Sequence, residues 1–460
     1  MSVALRVALV ATTAALASCA TMLPSLTAAE REASRTARSI SIVGPKGELV
    51  GPARERIAER LRAYEKSTPL ERKLLLSNAY TGAPLTVGNA TRILLDGPAA
   101  YRAMFDAIAA ARDHVHLESY IFEEIEFDRR LSELLAHKAR EGVQVRVIYD
   151  SFGSLDTPPA FLEGLAAQGV VLCEFNPVNP LRARLFALQH RDHRKIVVVD
   201  GRIAFTGGIN FHSVYRSGSV PTSDPDLGET VEGWRDTHLA IEGPAVAELQ
   251  TMFLGTWEKQ GCRDVPVRNH FPALAARGDD IVSVIGSSPD GQLSTLYLTL
   301  VAAITYAETS IHLSAAYFVP DASTIQALKA AAARGVDVRL LLPAFTDSWL
   351  AFHAGRSYYD ELLAAGVHIH EYRGGVMHAK TLVVDGVWST IGSANVDWRS
   401  FVYNDEVSAV VVGRAFGDEM ERIFANDLAK SAEVTRERWA ARSASSRLSE
   451  ATARWFESQL

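Results

Sequence analysis

His193-Arg194-Lys195-Ile196-Val197-Val198-Val199-Asp200 and His378-Ala379-Lys380-Thr381-Leu382-Val383-Val384-Asp385 spell one phrase, His-x-Lys-x-x-x-x-Asp, twice in a single chain. Each copy is followed by a Gly-rich turn and an Asn, Gly207-Gly208-Ile209-Asn210 in the first and Gly392-Ser393-Ala394-Asn395 in the second. The interval from His to Asn is the same in both, so the repeat extends past the motif into the next element. Side chains two apart on a strand share a face, so His193 and Lys195 project together, as do His378 and Lys380. The apolar run behind each Lys predicts a strand buried on both faces.

Outward from the motifs the self-similarity continues. Residues 114–122 are answered by 310–318, residues 142–149 by 335–342, and residues 169–175 by 366–372, in the same order. The period is far longer than that of a solenoid, so this is a duplicated domain rather than an array. Strand patterns alternate with amphipathic helical ones. That predicts an α/β fold of two duplicated α/β/α halves with mixed sheets, packed about a pseudo-twofold axis with a single active site at their interface. The expected organisation is a signal peptide over 1–18, a lipid-anchored arm over 19–85, half one over 86–265, half two over 275–430, and a helical tail over 431–460. The stripe of Phe416, Met420, Ile423 and Phe424 predicts a helix covering the sheet.

Half one carries two excesses over half two. Residues 180–188 mix Arg with bulky apolar side chains, which suits either a lipid headgroup boundary or a helical lid. Residues 211–233 are rich in Ser, Gly, Pro and Asp and read as a mobile flap over the active site.

Two His, two Lys and two Asn suit phosphodiester chemistry. The Lys ammonium groups and the amides of Asn210 and Asn395 can hold the non-bridging oxygens and stabilise the crowded transition state. One imidazole can attack phosphorus while the other protonates the leaving alcohol, and the roles reverse in the second step. His114, His116 and His312 alternate within strand-like runs and read as structural. His368 and His370 share a strand with no third ligand in sight, so no metal site is expected there. Trp234, Trp398 and the Tyr317-Phe318 pair read as core by default, with the wall of a lipid channel as the alternative, and Arg399-Ser400 as a turn or a phosphate contact.

The two motifs, with Glu118-Ser119-Tyr120-Ile121-Phe122, residues 190–210, Trp234-Arg235-Asp236-Thr237-His238 and Tyr317-Phe318-Val319-Pro320-Asp321, resemble the phospholipase D superfamily. Their flanks are similar to its bacterial cardiolipin synthase branch, over about residues 86–430. The resemblance implies a metal-independent reaction without a cofactor, with His193 as nucleophile and His378 as acid; near-symmetry leaves the reverse assignment open. It also implies that an acidic residue beyond each Asn, Asp236 in half one and Glu406 in half two, orients an imidazole. Asp200 and Asp385 complete the catalytic motif, and the resemblance suggests that they act as structural anchors. The implied activity is a phosphatidyltransferase that works through a phosphohistidine. With phosphatidylglycerol as donor and acceptor it would make cardiolipin. A phospholipase D releasing phosphatidic acid and an exported nuclease are the rivals, and an inert binding module would show a damaged motif. Long cardiolipin synthases begin with two membrane-spanning helices; here a polar arm takes that region.

Composition and address narrow the setting. The 460 residues are 48% hydrophobic and 22% charged, an ordinary globular balance. A net charge of -7 offers no general attraction for nucleic acid, so no nucleic-acid partner is expected. Arg6, the apolar run 7–16 and Leu16-Ala17-Ser18-Cys19 read as an export signal ending in a bacterial lipobox. Cys19 would become the diacylated N-terminus, anchoring the protein to a membrane on the periplasmic side of the cell envelope. The expected partners are therefore phospholipid and a membrane surface. Cys173, in an apolar run, is expected as a buried inert thiol. Cys262 lies in a Gly-Cys-Arg loop; an exported protein could join the two, although nothing in the sequence shows them close.

Overall fold

The computed structural model describes residues 40–64, 82–127, 129–178, 189–218, 222–224, 229–231, 233–289 and 294–460. The leader with Cys19 and the 180–188 segment lie outside the described residues, as do parts of the 211–233 stretch.

The arm supplies β1 (Ile42–Gly44) and α1 (Gly51–Arg62). Half one follows with β2 (Leu85–Leu95), α2 (Asp96–Ala110), β3 (His114–Ser119), α3 (Leu131–Arg140), β4 (Gln144–Asp150), α4 (Pro159–Ala167) and β5 (Val171–Phe175). It ends with the hairpin of β6 (Ile196–Val199) and β7 (Ile203–Gly207), then β8 (Thr237–Glu242) and α5 (Val246–Lys259). Its strands lie in the order β5-β4-β3-β6-β7-β8-β2, parallel across the first three and antiparallel from there on.

Half two repeats the plan with β9 (Asp280–Ser287), α6 (Thr295–Thr305), β10 (Ser310–Ser314), α7 (Ala322–Ala333), β11 (Asp337–Pro343), α8 (Trp349–Arg356) and β12 (His368–Tyr372). The hairpin of β13 (Thr381–Val384) and β14 (Trp388–Gly392) follows, then β15 (Asn404–Val412), α9 (Arg414–Leu428) and α10 (Ala444–Arg454). The order is β12-β11-β10-β13-β14-β15-β9, again parallel across three strands and then antiparallel. The duplication read from the sequence is thus a duplication of topology.

The sheets face each other. Ile196, Val198, Leu239 and Ile241 of half one pack with Val282, Val284, Val383, Ile391 and Val411 of half two in one fully buried layer. Separating the halves would forfeit about 1.5–3 kcal/mol for each such side chain. Strand β2 serves both sheets: its end from Ala90 to Leu95 pairs with β8, and its start pairs with β9. Strand β1 lies parallel beside β2, and Ile40, Ile42 and Leu61 join the core of half two. This part of the arm is integral to the fold. In the tail, α9 buries Phe416, Met420 and Phe424 as its spacing predicts. A short strand that the sequence did not suggest, Ser431–Glu433, adds to the edge of half two against β12. Among the described residues, no helix is long and apolar enough to cross a membrane.

Strands β6 and β13, which follow the two His-x-Lys pairs, are buried along their whole length. Each ends in an aspartate with positive φ, Asp200 at 53° and Asp385 at 55°. Asp is among the few residues that tolerate this region. The Asp200 carboxylate accepts from the backbone N–H groups of Arg112, Asp113 and His114, at 2.8–3.2 Å. Asp385 accepts in the same way from Glu308, Thr309 and Ser310. Both aspartates therefore pin the far end of a strand whose near end carries the His and Lys.

The expectation for Cys173 needs correction. It is bonded to Cys262, with Cα atoms 5.6 Å apart, tying β5 to the end of α5. The partners are 89 residues apart in sequence, beyond the reach of any local pattern. Closing a loop of that length constrains the unfolded chain by about 4–5 kcal/mol in the loop-entropy view. The double variant Cys173→Ser/Cys262→Ser should unfold at clearly lower denaturant concentration, and reduction of the parent should reproduce that shift. Coincident unfolding curves would contradict it.

Candidate active site

Two short parallel pairings bring the motifs together. Arg191–Asp192, just before His193, pairs with Asn404 and Asp405, just before Glu406. Trp234–Arg235, just before Asp236, pairs with Val376–Met377, just before His378. The His193 N–H donates to the Asp405 carbonyl at 2.9 Å, and the His378 N–H to that of Arg235 at 2.8 Å. The exchange is reciprocal, as a twofold relation requires.

Its consequence is that each imidazole is held by the other half. His193 Nδ1 lies 2.9 and 3.0 Å from the two Glu406 oxygens, and His378 Nδ1 lies 2.6 Å from Asp236 Oδ2. A carboxylate at Nδ1 keeps a proton there, which at His193 leaves Nε2 as the free lone pair; at His378, Lys380 Nζ stands 3.0 Å from both ring nitrogens. Asp236 and Glu406 both occupy the positions that the resemblance implied. The crossing of partners was not legible, because the sequence only shows that an acid follows each Asn.

The two clamps differ in detail. Glu406 also accepts from the Ser393 hydroxyl and from Asn404 Nδ2, the latter at 3.2 Å. Asp236 accepts from the backbone of Thr237 at 2.7 Å, and the Tyr215 hydroxyl sits 3.0 Å from His378 Nδ1. Where half two has Ser393, half one has Gly208, and a Cβ there would stand 2.2 Å from Asp236 Oδ1. Gly208→Ala should therefore push the carboxylate aside and loosen His378. A displacement of this order typically costs about 100-fold in turnover, measurable as kcat on labelled phospholipid with the fold checked by circular dichroism. Unchanged kcat would contradict the close approach.

The lysines lie under the imidazoles. Lys195 Nζ donates to the His193 carbonyl at 2.7 Å and faces the Tyr120 ring at 5.4 Å. Lys380 Nζ donates to the His378 carbonyl at 2.6 Å. Burial disfavours the charged form of each, bringing Lys195 down to about 7 and Lys380 to about 8 against the pull of Glu406 and Asp236. Burial also takes His193 down to about 4, with Glu406 opposing. His378 is lowered by burial and by the charge of Lys380. For Glu406 and Asp236 burial acts upward, but the neighbouring imidazole and Lys win and hold both carboxyls below their ordinary range. At neutral pH the site thus pairs a neutral His193 with ionised carboxylates, beside two lysines poised to lose or keep a proton.

Both imidazoles open on one cavity of ≈ 390 Å³, lined also by Asn210 and Asn395. Asn210 Oδ1 accepts from the Ile121 N–H at 3.3 Å, and its Nδ2 lies 3.4 Å from the Tyr215 hydroxyl. Asn395 Oδ1 is buried and has no hydrogen-bond partner among the described residues. Asp200 and Asp385 stay outside the cavity. Of the aromatic residues read as core or channel wall, two belong to the cavity wall: Trp234, with its ring 4.8 Å from that of His378, and Tyr317. Phe318 is in the core of half two, as expected. Arg399 and Ser400 line the cavity too.

Tyr120, Tyr215 and Asp397 were not singled out as site residues. Asp397 is buried, which pushes its carboxyl up to about 7. Tyr215 comes from the stretch read as a flap. Its ring is fully buried against Trp234 and His378. No spacing rule would have found it, since its partner is 163 residues away.

Comparison with known proteins agrees with this geometry. The family described as Cardiolipin synthase, PLD-like domain, matches residues 104–215 and 300–428, which include both His-x-Lys pairs. The chain belongs to this family. The cardiolipin synthase of Listeria welshimeri is 36% identical over 384 residues, covering 83% of this chain and 77% of the relative. That of Geobacillus thermodenitrificans is 39% identical over 345 residues, covering 74% and 66%. Among solved structures, the phosphatidylserine synthase of Haemophilus influenzae Rd KW20 superposes with a TM-score of 0.61 at 12% identity. It covers 84% of this chain and 96% of its own, a likeness of fold alone.

Proposed function

We propose that this protein is a phosphatidyltransferase of the phospholipase D superfamily that makes cardiolipin from two molecules of phosphatidylglycerol. The observation that carries this reading is the pair of carboxylate-held imidazoles facing one cavity, each with a lysine at its base. In the first step His193 Nε2 attacks phosphorus, the bond from phosphorus to the glycerol headgroup breaks, and His378, entering the step protonated at both ring nitrogens, gives the leaving oxygen its Nε2 proton. In the second step a hydroxyl of another phosphatidylglycerol gives its proton to His378 and attacks the phosphohistidine. The phosphorus–nitrogen bond breaks, and both imidazoles return to their starting state.

Lys195, Lys380, Asn210 and Asn395 hold the non-bridging oxygens in both steps, so the charge on phosphorus is matched without a metal ion. Glu406 and Asp236 keep the two Nε2 atoms aimed at the same phosphorus. Names of curated relatives support the choice of a transferase over a hydrolase. The lipobox reading of Cys19 extends the proposal to a lipid-anchored enzyme on the periplasmic side, with phospholipid and the membrane surface as its partners.

The test is purified protein in mixed micelles with labelled phosphatidylglycerol, beside His193→Ala. Cardiolipin with free glycerol, absent in the variant, is the expected result. Phosphatidic acid alone would make the enzyme a phospholipase D, and no lipid turnover would overturn both readings.

A further inference from the structure

The internal duplication places one more matched pair, and it lies outside the chemistry. Strand β4 answers β11, and the residue two beyond the end of each is a phenylalanine: Phe152 after Asp150, and Phe345 after Pro343. Neither ring joins a core; they are 36% and 37% exposed. Each has a second large apolar side chain beside it, Leu155 at 47% exposed and Trp349 at 55%. A singly exposed apolar side chain is ordinary; what sets Phe152 and Phe345 apart is that they hold matched positions in the two halves, each followed within a few residues by a second exposed apolar side chain.

Both loops border the cavity. In parallel stretches of an α/β sheet, the carboxyl ends of the strands are where a ligand sits. In half one the loop packs directly behind Tyr120, a cavity residue: the Ser154 hydroxyl donates to the Tyr120 carbonyl at 3.3 Å, and a Cβ on Gly153 would meet that carbonyl oxygen at 2.2 Å. In half two the loop carries Asp347, which lines the cavity and accepts from the Tyr317 hydroxyl at 2.6 Å. The apolar pairs therefore stand on or next to two loops, one from each half, that adjoin the cavity wall.

We propose that Phe152 and Leu155 of one half, with Phe345 and Trp349 of the other, form a two-sided seat that dips into the interfacial layer of a lipid bilayer and sets the cavity mouth on the membrane. This rests on the reading of the substrate as a phospholipid. A diester drawn from a bilayer must reach two buried imidazoles without its acyl chains crossing water. Rings on both sides of the mouth at headgroup depth, where aromatic side chains are favoured, supply that continuity. The seat is separate from any lipid on Cys19: an anchor tethers the chain, whereas the seat orients the opening.

The test uses the full chain carrying Cys19→Ser, so that acylation cannot hold it, and the same protein with Phe152→Ser and Phe345→Ser added. Flotation with phosphatidylcholine vesicles, and with vesicles containing phosphatidylglycerol, is measured in high salt to suppress electrostatic adsorption. The parent should float and the double variant should partition about tenfold more weakly or worse, the order expected if each ring buries about half of its exposed surface in lipid. On vesicle-embedded phosphatidylglycerol the double variant should lose turnover to a similar extent. On a short-chain, monomerically dispersed phosphatidylglycerol its kcat and KM should match the parent. A parent that does not float, a double variant that floats equally well, or equal losses on both substrates would each overturn the seat. A parent that floats through these rings yet turns over no phospholipid would leave the seat standing and remove the functional reading instead.

Discussion

Lys195→Met and Lys380→Met should each lose about 10²–10³-fold in turnover, the usual cost of removing one donor from developing charge, while folding more stably than the parent. The second half of this expectation follows from burial. An ordinary lysine titrates near 10.5, but here Lys195 titrates at about 7 and Lys380 at about 8. A cation whose folded pKa is depressed binds fewer protons in the folded state than in the unfolded one. Its burden on stability is full below about pH 7, shrinks as pH rises, and is gone above about 10.5. Methionine fills similar space without a charge to desolvate, so the gain in Tm should be largest at neutral pH and below and should fade toward pH 10. The same titration bounds activity. In the free enzyme, kcat/KM should fall on the alkaline side between about pH 7 and 8, as the lysines lose the charge that meets phosphate. Near-normal turnover of either variant, or a Tm that drops at neutral pH, would sink this account.

His193→Ala and His378→Ala should each abolish turnover of phosphatidylglycerol, a loss of about 10⁴-fold or more for a member of an interdependent catalytic set. The two variants should then part on an activated substrate. A phospholipid whose headgroup is a nitrophenol leaves without needing a proton, so His378→Ala should still form the phosphohistidine. It should also accumulate it, because the acceptor hydroxyl no longer has a base to take its proton. Acid-labile label should therefore appear on His378→Ala and not on His193→Ala. The opposite pattern would exchange the two roles while keeping the mechanism. Label on neither variant would remove the covalent intermediate.

Much of this protein is legible along the chain. A strand with His and Lys two apart projects both from one face whatever surrounds it. A wholly apolar run must be buried on both sides, and a block of such features written twice must fold twice. Those facts gave the two mixed sheets, the equivalence of β6 with β13, and the four His and Lys side chains. The acids were found less directly, through the acidic position beyond each Asn in a family that the motifs resemble. Aromatic residues stayed ambiguous, since an apolar ring at a strand end looks the same whether it meets a core, as Phe318 does, or a cavity wall, as Trp234 and Tyr317 do.

By itself, then, the sequence determined which His and Lys side chains share a face and on what kind of element each stands, because periodicity and spacing act over a few residues. Only the tertiary structure decided who meets whom. Glu406 clamps His193 across 213 residues, and Asp236 clamps His378 across 142. Tyr215 turns inward to His378, and Cys173 bonds Cys262. Each of these contacts depends on how two sheets are registered face to face. That register is set by the summed packing of the buried layer between the halves and by the reciprocal pairing of Arg191–Asp192 and Trp234–Arg235 with the opposite half. No local rule of strand or helix encodes it.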